Sequence, residues 1–213
     1  MTDADAVDRF ERIVLAQSPA SAPWQPVTDY SFEARRIVEG EHPARILNFL
    51  VQPARQRILD YGCGPGHLVR LLREVGGAQG LHVMGYDPQF KHCPPIAMNL
   101  IGDLPPFGVD WAWDLVICRE VLEHCTVQEI ATIVPRLCAY SRRLVYVTTR
   151  FAKQPDHFLS LDTSDDLDPT HITMLTKPWL RMLFVMQGFR SRPDLETAMD
   201  WKHLGRCLVM EKA

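Results

Sequence analysis

Long apolar runs, basic runs and internal repeats are all absent from this 213-residue sequence, and each absence excludes a class of function. No apolar run approaches the length of a membrane-spanning helix, roughly 20 residues. The net charge is -3 and no stretch is rich in lysine and arginine, which disfavours nucleic acid as a partner. The sequence therefore predicts one globular domain that acts on a small molecule and has no membrane partner.

The cysteines and the first residues bear on the cellular compartment. The six cysteines form no Cys-x-x-Cys pair, so we expect neither disulfide bonds nor a zinc knuckle. Residues 1–6 are acidic and carry no basic segment before an apolar one, as a targeting signal would. These features predict a cytoplasmic protein. The cysteines are Cys63, Cys93, Cys118, Cys125, Cys138 and Cys207.

The alternation of short apolar runs with helical patterns from residue 57 onward predicts an α/β fold. We expect a single doubly wound, mostly parallel sheet with helices on both faces. The candidate strands are 57–60, 81–86, 98–101, 113–118, 144–148 and 207–211, and the candidate helices are 67–75, 128–139 and 177–187. Two prolines in 90–95 predict a short or irregular connection there. Residues 1–55 are expected to form a helical extension with helices at 4–17 and 43–51, and residues 56–213 one globular unit.

The segment 58–68 is the most informative, because a short apolar run there breaks into three alternate glycines before a helical pattern. Gly62, Gly64 and Gly66 can adopt positive φ and bring backbone N–H groups close to a ligand. A strand, a glycine turn and a helix in this order predict a site for a nucleotide-shaped ligand.

Two acids further along the chain extend this site toward an adenosine. Asp87 stands at the end of the next candidate strand, about 20 residues on, where an acid can accept hydrogen bonds from ribose hydroxyls. After the third candidate strand, the Asp103 carboxylate can accept from an exocyclic amine and the Leu104 backbone N–H can reach a ring nitrogen.

Asp60 determines which adenosine-containing ligand fits. It lies just before a turn spaced Gly-x-Gly-x-Gly, unlike the Gly-x-Gly-x-x-Gly spacing of dinucleotide sites. An anion at this place opposes a pyrophosphate and favours a cationic or zwitterionic ligand. S-adenosylmethionine (SAM) carries a sulfonium, an ammonium and no phosphate, so the sequence predicts SAM as cofactor. NAD-dependent hydride transfer is the disfavoured alternative.

These motifs, in this order, resemble the class I, Rossmann-like SAM-dependent methyltransferases over residues 58–189. Residues 58–66 are similar to the family's first motif, 86–88 to its ribose acid, 103–104 to its adenine contact and 113–118 to its fourth strand. The resemblance implies seven strands, an antiparallel last strand and a ligand above the carboxyl ends of the strands. It also implies the cofactor-binding residues Asp60, Tyr61, Gly62, Gly64, Gly66, Asp87, Pro88, Asp103, Leu104, Cys118 and Arg119, and an N-terminal lid that includes Trp24, Tyr30 and Arg35.

An acid–histidine cluster follows the fourth candidate strand. Glu120, Glu123 and His124 share one helical face if a helix continues there, and such ligands suit Mg²⁺, Mn²⁺ or Zn²⁺. The pattern is similar to that of metal-dependent family members that act in quinone biosynthesis or on small-RNA 3′ ends, and the analogy makes His171 the fourth ligand. A metal could lower the pKa of a substrate hydroxyl. In metal-free members the same pattern occurs, and His124 or His171 could then act as general base.

The resulting prediction is methyl transfer to a hydroxyl of a polar small molecule, sugar or glycan, with Glu120, Glu123, His124 and His171 facing the acceptor. The polar segment 148–176 is either an acceptor-recognition loop or a solvated insertion. Two alternatives stay open: a metal-dependent RNA 2′-O-methyltransferase and a non-catalytic SAM-binding regulator or scaffold. The first would use a basic cluster of Arg142, Arg143, Arg150 and Lys153.

Overall fold

The computed structural model describes residues 35, 37–38, 41–51, 56–76, 80–88, 100–101, 112–152, 171–200 and 204–213. The strands are β1 Arg57–Tyr61, β2 His82–Tyr86, β3 Leu100–Ile101, β4 Trp113–Arg119, β5 Ser141–Thr148, β6 Phe189–Ser191 and β7 Cys207–Lys212. They form one seven-stranded sheet in the order β3-β2-β1-β4-β5-β7-β6. Neighbours from β3 to β5 are parallel, and β7 is antiparallel to both β5 and β6. The predicted mostly parallel sheet with an antiparallel last strand is confirmed.

Five helices accompany this sheet among the residues that the structure describes. They are α1 His42–Arg45, α2 His67–Gly76, α3 Val127–Tyr140, α4 Lys177–Val185 and α5 Pro193–Met199. A π-helical turn, Ile46–Leu50, continues α1, and a 3₁₀ turn, Leu122–His124, follows β4. No helix in the described part of the chain combines the length and the apolar character needed to span a bilayer.

Both faces of the sheet are covered, which confirms the doubly wound arrangement. Successive residues of β1, Ile58 and Leu59, belong to different core clusters because side chains of a strand point alternately to opposite faces. The cluster on one face contains Leu59, Val116, Val145, Val134 and Phe184. The cluster on the other face contains Ile58, Ile117, Tyr146, Leu72 and Ile46. Burial on both faces explains why these strands read as continuous apolar runs.

Several expectations about individual elements differ from the structure or lie outside it. The helix expected at 43–51 is present as α1 and the π-helical turn, whereas β6 and α5 were not predicted. β5 begins at Ser141 instead of residue 144, because Ser141 pairs with Trp113 and extends the ladder. The helix expected at 4–17 and the connection at 90–95 lie outside the described residues. The division at residue 55 stays a prediction, and Ile46 of the proposed extension packs in the same core cluster as the sheet.

The described cysteines are free thiols, and all but Cys125 are buried. Cys93 lies outside the described residues. Cys118 and Cys138 belong to one core cluster, whereas Cys63 and Cys207 belong to the other. These thiols therefore act as small apolar side chains, as expected.

Gly62 is the position where the fold most strictly requires a glycine. Its φ is 77°, and a Cβ built there would lie 2.4 Å from Val121 Cγ2. We predict that Gly62→Ala lowers the free energy of unfolding through both backbone strain and this clash. Gly188→Ala is the matched control, because Gly188 has φ 80° but open space around it. In urea denaturation we expect a loss of about 1–2 kcal/mol for the control from strain alone, and about 1–3 kcal/mol more for Gly62→Ala. Equal losses would contradict the role of Val121.

Candidate active site

The sheet has one point where its strand order reverses. From β1 the chain continues outward to β2 and β3, whereas β4 and β5 lie on the other side of β1. In sheets of this kind, ligands bind in the crevice at the carboxyl ends of the strands that flank the reversal. Asp60 near the end of β1, Asp87 just after β2 and Arg119 at the end of β4 meet at this edge. The structure thus brings three of the expected cofactor-binding residues to one crevice.

The glycine turn is tied to the end of β2 by backbone hydrogen bonds. The N–H groups of Gly62 and Cys63 donate to the Tyr86 carbonyl at 2.7 and 3.0 Å. The Gly64 N–H donates to Asp87 Oδ2 at 2.8 Å. The sequence suggested that the turn presents N–H groups to a ligand, but these three N–H groups bind the protein itself. Their effect is to fix the buried Asp87 carboxylate at the crevice.

Asp60 is a buried acid in the middle of the parallel sheet, with 3 % of its surface exposed. It lies in register with Gly85 of β2 and Ile117 of β4. Desolvation raises the pKa of the Cys118 thiol well above its usual value, and the negative charges of nearby acids, Asp60 among them, add to the rise. A carboxylate therefore lies close to the crevice inside a poorly solvated region, where its charge acts strongly on a ligand.

Other expected cofactor-binding residues serve the core or lie elsewhere. The side chains of Tyr61 and Cys118 belong to the first core cluster, so only their backbones could contact a ligand. Burial raises the pKa of Tyr61, whose ring lies 4.9 Å from that of Tyr86.

The remaining expected cofactor-binding and lid residues lie at the surface or outside the described residues. Pro88 is exposed directly after Asp87. Asp103, Leu104, Trp24 and Tyr30 lie outside the described residues, Arg35 is exposed, and Gly66 has φ 90° at the start of α2.

Arg119 is a buried cation at the end of β4. Its side chain lies on the face of Ile117 and Tyr146, and only 8 % of the residue is exposed. Burial raises the pKa of Tyr146 well above its usual value, and the positive charge of Arg119 opposes this rise. Among the residues that the structure describes, Arg119 Nε has no hydrogen-bond partner, nor has Oγ1 of Thr148, its register partner on β5. Two neighbouring polar groups at the crevice edge are thus unsatisfied.

The acid–histidine cluster is built by a tight turn after β4. Glu120 has φ 49°, so the chain leaves the strand sharply and the expected helix does not continue from it. Only a single 3₁₀ turn, Leu122–His124, follows. Thr126 then caps α3 in a reciprocal pair of hydrogen bonds with Glu129. Because this cap starts a new helix, the turn that carries the acids and the histidine is held between two fixed elements.

Glu123, His124 and His171 converge, as the sequence predicted. Each offers one ligand atom, and these atoms lie within 4.8 Å of one another. The two imidazole rings meet edge to face with centroids 4.8 Å apart. His171 is brought there because the N–H groups of Ile172 and Thr173 donate to the Glu123 carbonyl at 2.8 and 3.1 Å. Glu120, the fourth expected member, is not part of this group.

Glu123 is fully buried, which is unusual for a carboxyl group. Its Oε2 accepts a hydrogen bond of 2.8 Å from the Thr149 hydroxyl, and its buried Oε1 has no hydrogen-bond partner within the described ranges. Burial raises the pKa of Glu123 well above its usual value, and the nearby Glu120 carboxylate raises it further. An unsatisfied carboxylate oxygen beside two imidazoles fits the ligand set of a divalent cation. The sequence analysis did not include Thr149 among the site residues. Its position just after the carboxyl end of β5, the strand next to β4, could have indicated it.

The sequence matches a family described as "Methyltransferase domain" over residues 34–199. No match is found among curated proteins. The chain therefore belongs to this methyltransferase family, which confirms the predicted class I, Rossmann-like methyltransferase class and its enzymatic character.

Solved structures of the same fold are similar over nearly the whole chain. Magnesium protoporphyrin IX methyltransferase (ChlM) of Synechocystis PCC 6803, with S-adenosylhomocysteine (SAH) bound, is 18% identical, with a TM-score of 0.55 and coverage of 99% of this chain and 95% of that one. The plantazolicin methyltransferase BpumL, also with SAH, is 15% identical, with a TM-score of 0.57 and 99% coverage of both chains. A putative methyltransferase of Haloferax volcanii, in complex with the activator Trm112, is 15% identical, with a TM-score of 0.56 and coverage of 89% and 99%.

The buried Glu123 carboxyl makes stability depend on pH. Its raised pKa means that the folded protein keeps a proton that the unfolded chain loses above about pH 4.3. The free energy of unfolding therefore falls as the pH rises, by about 1.4 kcal/mol per pH unit for one such proton. We predict that Glu123→Gln, measured by thermal unfolding in EDTA, gains stability relative to the wild type as the pH rises above the range in which carboxyl groups of the unfolded chain titrate. Glu74→Gln, on the exposed face of α2, is the control. A stability difference for Glu123→Gln that does not change with pH would contradict the burial of a protonated acid.

Proposed function

We propose that this protein transfers a methyl group from SAM to a hydroxyl of a polar small molecule, sugar or glycan. Membership of a methyltransferase family supports the reaction type. Two neighbours of the same fold were crystallised with SAH, the product of methyl donation by SAM. The choice of SAM, the site residues and the acceptor are part of this proposal.

One observation carries the choice of donor: two buried carboxylates flank the glycine turn at the crevice. Asp87, held by the Gly64 N–H, is suited to accept hydrogen bonds from ribose hydroxyls. Asp60, on the other side of the turn, favours a ligand that carries positive charge and disfavours a diphosphate. SAM meets both conditions, whereas NAD meets only the first.

Methyl transfer requires that the donor sulfur, the methyl carbon and the acceptor oxygen are aligned, and that a group accepts the proton of the hydroxyl. The sulfur–carbon bond to the methyl group breaks as the oxygen–carbon bond forms, and the reacting atoms must be held about 3–3.5 Å apart in line. When no ion is bound, a neutral imidazole of His124 or His171 can take the hydroxyl proton, since both rings lie on the side of the chain that follows β4. The product SAH leaves with the sulfur uncharged.

We also propose that Glu123, His124 and His171 hold a divalent cation. The support is the 4.8 Å grouping of their ligand atoms together with the unpartnered Oε1 of Glu123. Two nitrogens and one oxygen favour Mn²⁺ or Zn²⁺ over Mg²⁺, which prefers oxygen ligands. When bound, such an ion would lower the pKa of an acceptor hydroxyl. Thr149 orients the Glu123 carboxylate in either state, and Glu120 remains close enough to repel it.

Two of the four basic residues named for the RNA alternative lie away from the carboxyl edge of the sheet, whereas Arg150 lies just after β5 and Lys153 lies outside the described residues. Arg142 forms two hydrogen bonds with the Asp114 carboxylate, and Arg143 donates to the Leu50 carbonyl. Both lie at the amino end of β5, about 20 Å of strand away from the carboxyl edge, since a strand rises about 3.3 Å per residue. A path for a phosphate backbone toward the crevice would have to avoid them.

The donor proposal predicts a selective effect of Asp60→Asn. Because the variant removes the negative charge near the ligand's cationic groups, we expect its affinity for SAM to fall about 10-fold or more. Isothermal titration calorimetry with SAM and with NAD measures this, and the wild type should bind SAM and not NAD. Asp194→Asn, an exposed change on α5, is the control. Unchanged affinity for SAM in Asp60→Asn would overturn the electrostatic argument, and tight SAM binding without methylation across broad acceptor pools would favour a regulator.

The cation proposal predicts that EDTA-treated protein binds about one Mn²⁺ or Zn²⁺ ion per chain. His171→Ala removes a ligand, so its affinity for the ion should fall by at least the 10–100-fold typical even for outer groups. His82→Ala, at the amino end of β2, is the matched control. Equal ion affinity in His171→Ala and wild type would show that this cluster is no metal site, and His124 and His171 would then remain as bases.

A further inference from the structure

Arg119 differs from the other half-buried or buried arginines that the structure describes. Those arginines have partners: Arg45 donates to the Ala198 carbonyl, Arg143 to the Leu50 carbonyl and Arg181 to the Glu196 carboxylate. For Arg119, no hydrogen bond or ion pair of the guanidinium is found within the described ranges, whereas a buried Nε without a partner is a feature that it shares with Arg45, Arg143 and Arg181. A guanidinium that is nine-tenths buried without a hydrogen-bonded partner in the described residues lowers the stability of the free protein. Such a cost is expected where a ligand completes the arrangement.

The neighbours of Arg119 show where a negatively charged group of a ligand would bind. Its register partner Thr148 presents a second buried polar atom without a partner, Oγ1, on the same face of the sheet. Asp60 also points to this face, because Leu59 and Tyr61 on either side of it lie in the other core cluster. Asp60 is in register with Ile117, two residues before Arg119 on the adjacent strand. The Cα atoms of Asp60 and Arg119 are therefore about 8 Å apart, given strand spacings of 4.8 Å and 3.3 Å per residue.

The negative charge of Asp60 and the positive charge of Arg119, about 8 Å apart at their Cα atoms on one face of the sheet, complement a zwitterionic ligand. The amino-acid end of SAM is such a group, since its ammonium and carboxylate are attached to the same carbon. Asp87 accepts the ribose beyond β2, so the amino-acid end of the same ligand extends across β1 toward β4. Arg119 lies at that end, and a guanidinium binds a carboxylate through two parallel hydrogen bonds.

We propose that Arg119 binds the carboxylate of the amino-acid moiety of SAM and thereby makes the site selective for ligands that keep this carboxylate. This inference rests on the proposed function. Arg119 is a specificity-determining residue for the donor and takes no part in the transfer of the methyl group.

The experiment compares SAH with decarboxylated SAH, which lacks only the carboxylate, by isothermal titration calorimetry. The proteins are the wild type, Arg119→Met, Arg119→Lys and the control Arg142→Met, which removes a positive charge at the opposite edge of the sheet. We expect Arg119→Met to bind SAH about 10–100-fold more weakly than the wild type. Decarboxylated SAH should bind wild type and Arg119→Met with the same affinity. Arg119→Lys should lie in between, because an ammonium makes no bidentate contact.

The melting temperature of the free protein separates this role from a structural one. Because methionine removes an unpaired buried charge at similar volume, Arg119→Met should melt at the same or a higher temperature than the wild type. Unchanged SAH affinity in Arg119→Met, or an equal loss of affinity for SAH and decarboxylated SAH, would overturn the proposal. A lower melting temperature in both Arg119 variants would also overturn it. If the wild type itself binds neither SAM nor SAH, the proposed function is wrong, and that result is distinct from a failure at Arg119 alone.

Discussion

The attachment of the glycine turn to the end of β2 is the constraint on which the rest of the site depends. Three consecutive N–H groups bind the Tyr86 carbonyl and the Asp87 carboxylate. The same hydrogen bonds hold the Asp87 carboxylate beside the glycine turn, in the place that we propose for the ribose. Gly62 makes this possible because any side chain there would collide with Val121, which begins the turn that carries the acid–histidine cluster. One backbone position therefore couples the donor side of the crevice to the acceptor side.

The crevice holds several charged groups away from water at a cost in stability. Asp60, Arg119 and Glu123 are all buried, and neither Arg119 Nε nor Glu123 Oε1 has a partner in the part of the chain described. The two core clusters on the faces of the sheet are made of apolar side chains, which stabilise the fold independently of these groups. Unpartnered polar atoms also occur elsewhere in the described residues, for example at Gln56 and Arg143, but those at the carboxyl ends of β4 and β5 lie where a ligand could supply the partner.

The sequence predicted the sheet, its antiparallel last strand and the convergence of Glu123, His124 and His171. The mostly parallel sheet follows from periodic apolar patterns, which are local properties, whereas the antiparallel last strand and the place of His171 were implied by the family resemblance. Three features could not be predicted, because they depend on contacts between distant segments. The three-residue strand β6 is paired only through β7, and β5 is extended by its pairing with Trp113. The positive φ of Glu120 ended the expected helix, so this residue lies beside Glu123 but outside the group of converging ligand atoms. The Asp103 and Leu104 contacts to adenine stay predictions.

The connection between β5 and α4 is fastened on both sides of residues 153–170. Phe151 forms a parallel bridge with Leu175, Ala152 donates to the Leu175 carbonyl, and Ile172 is bound to the turn of Glu123. Closing a longer segment between fixed ends adds only about 0.6 kcal/mol for each doubling of its length. Residues 153–170 can therefore be lengthened, shortened or replaced during evolution without displacing His171 from Glu123. Related enzymes could diversify their acceptors in this way while the machinery for the donor stays the same.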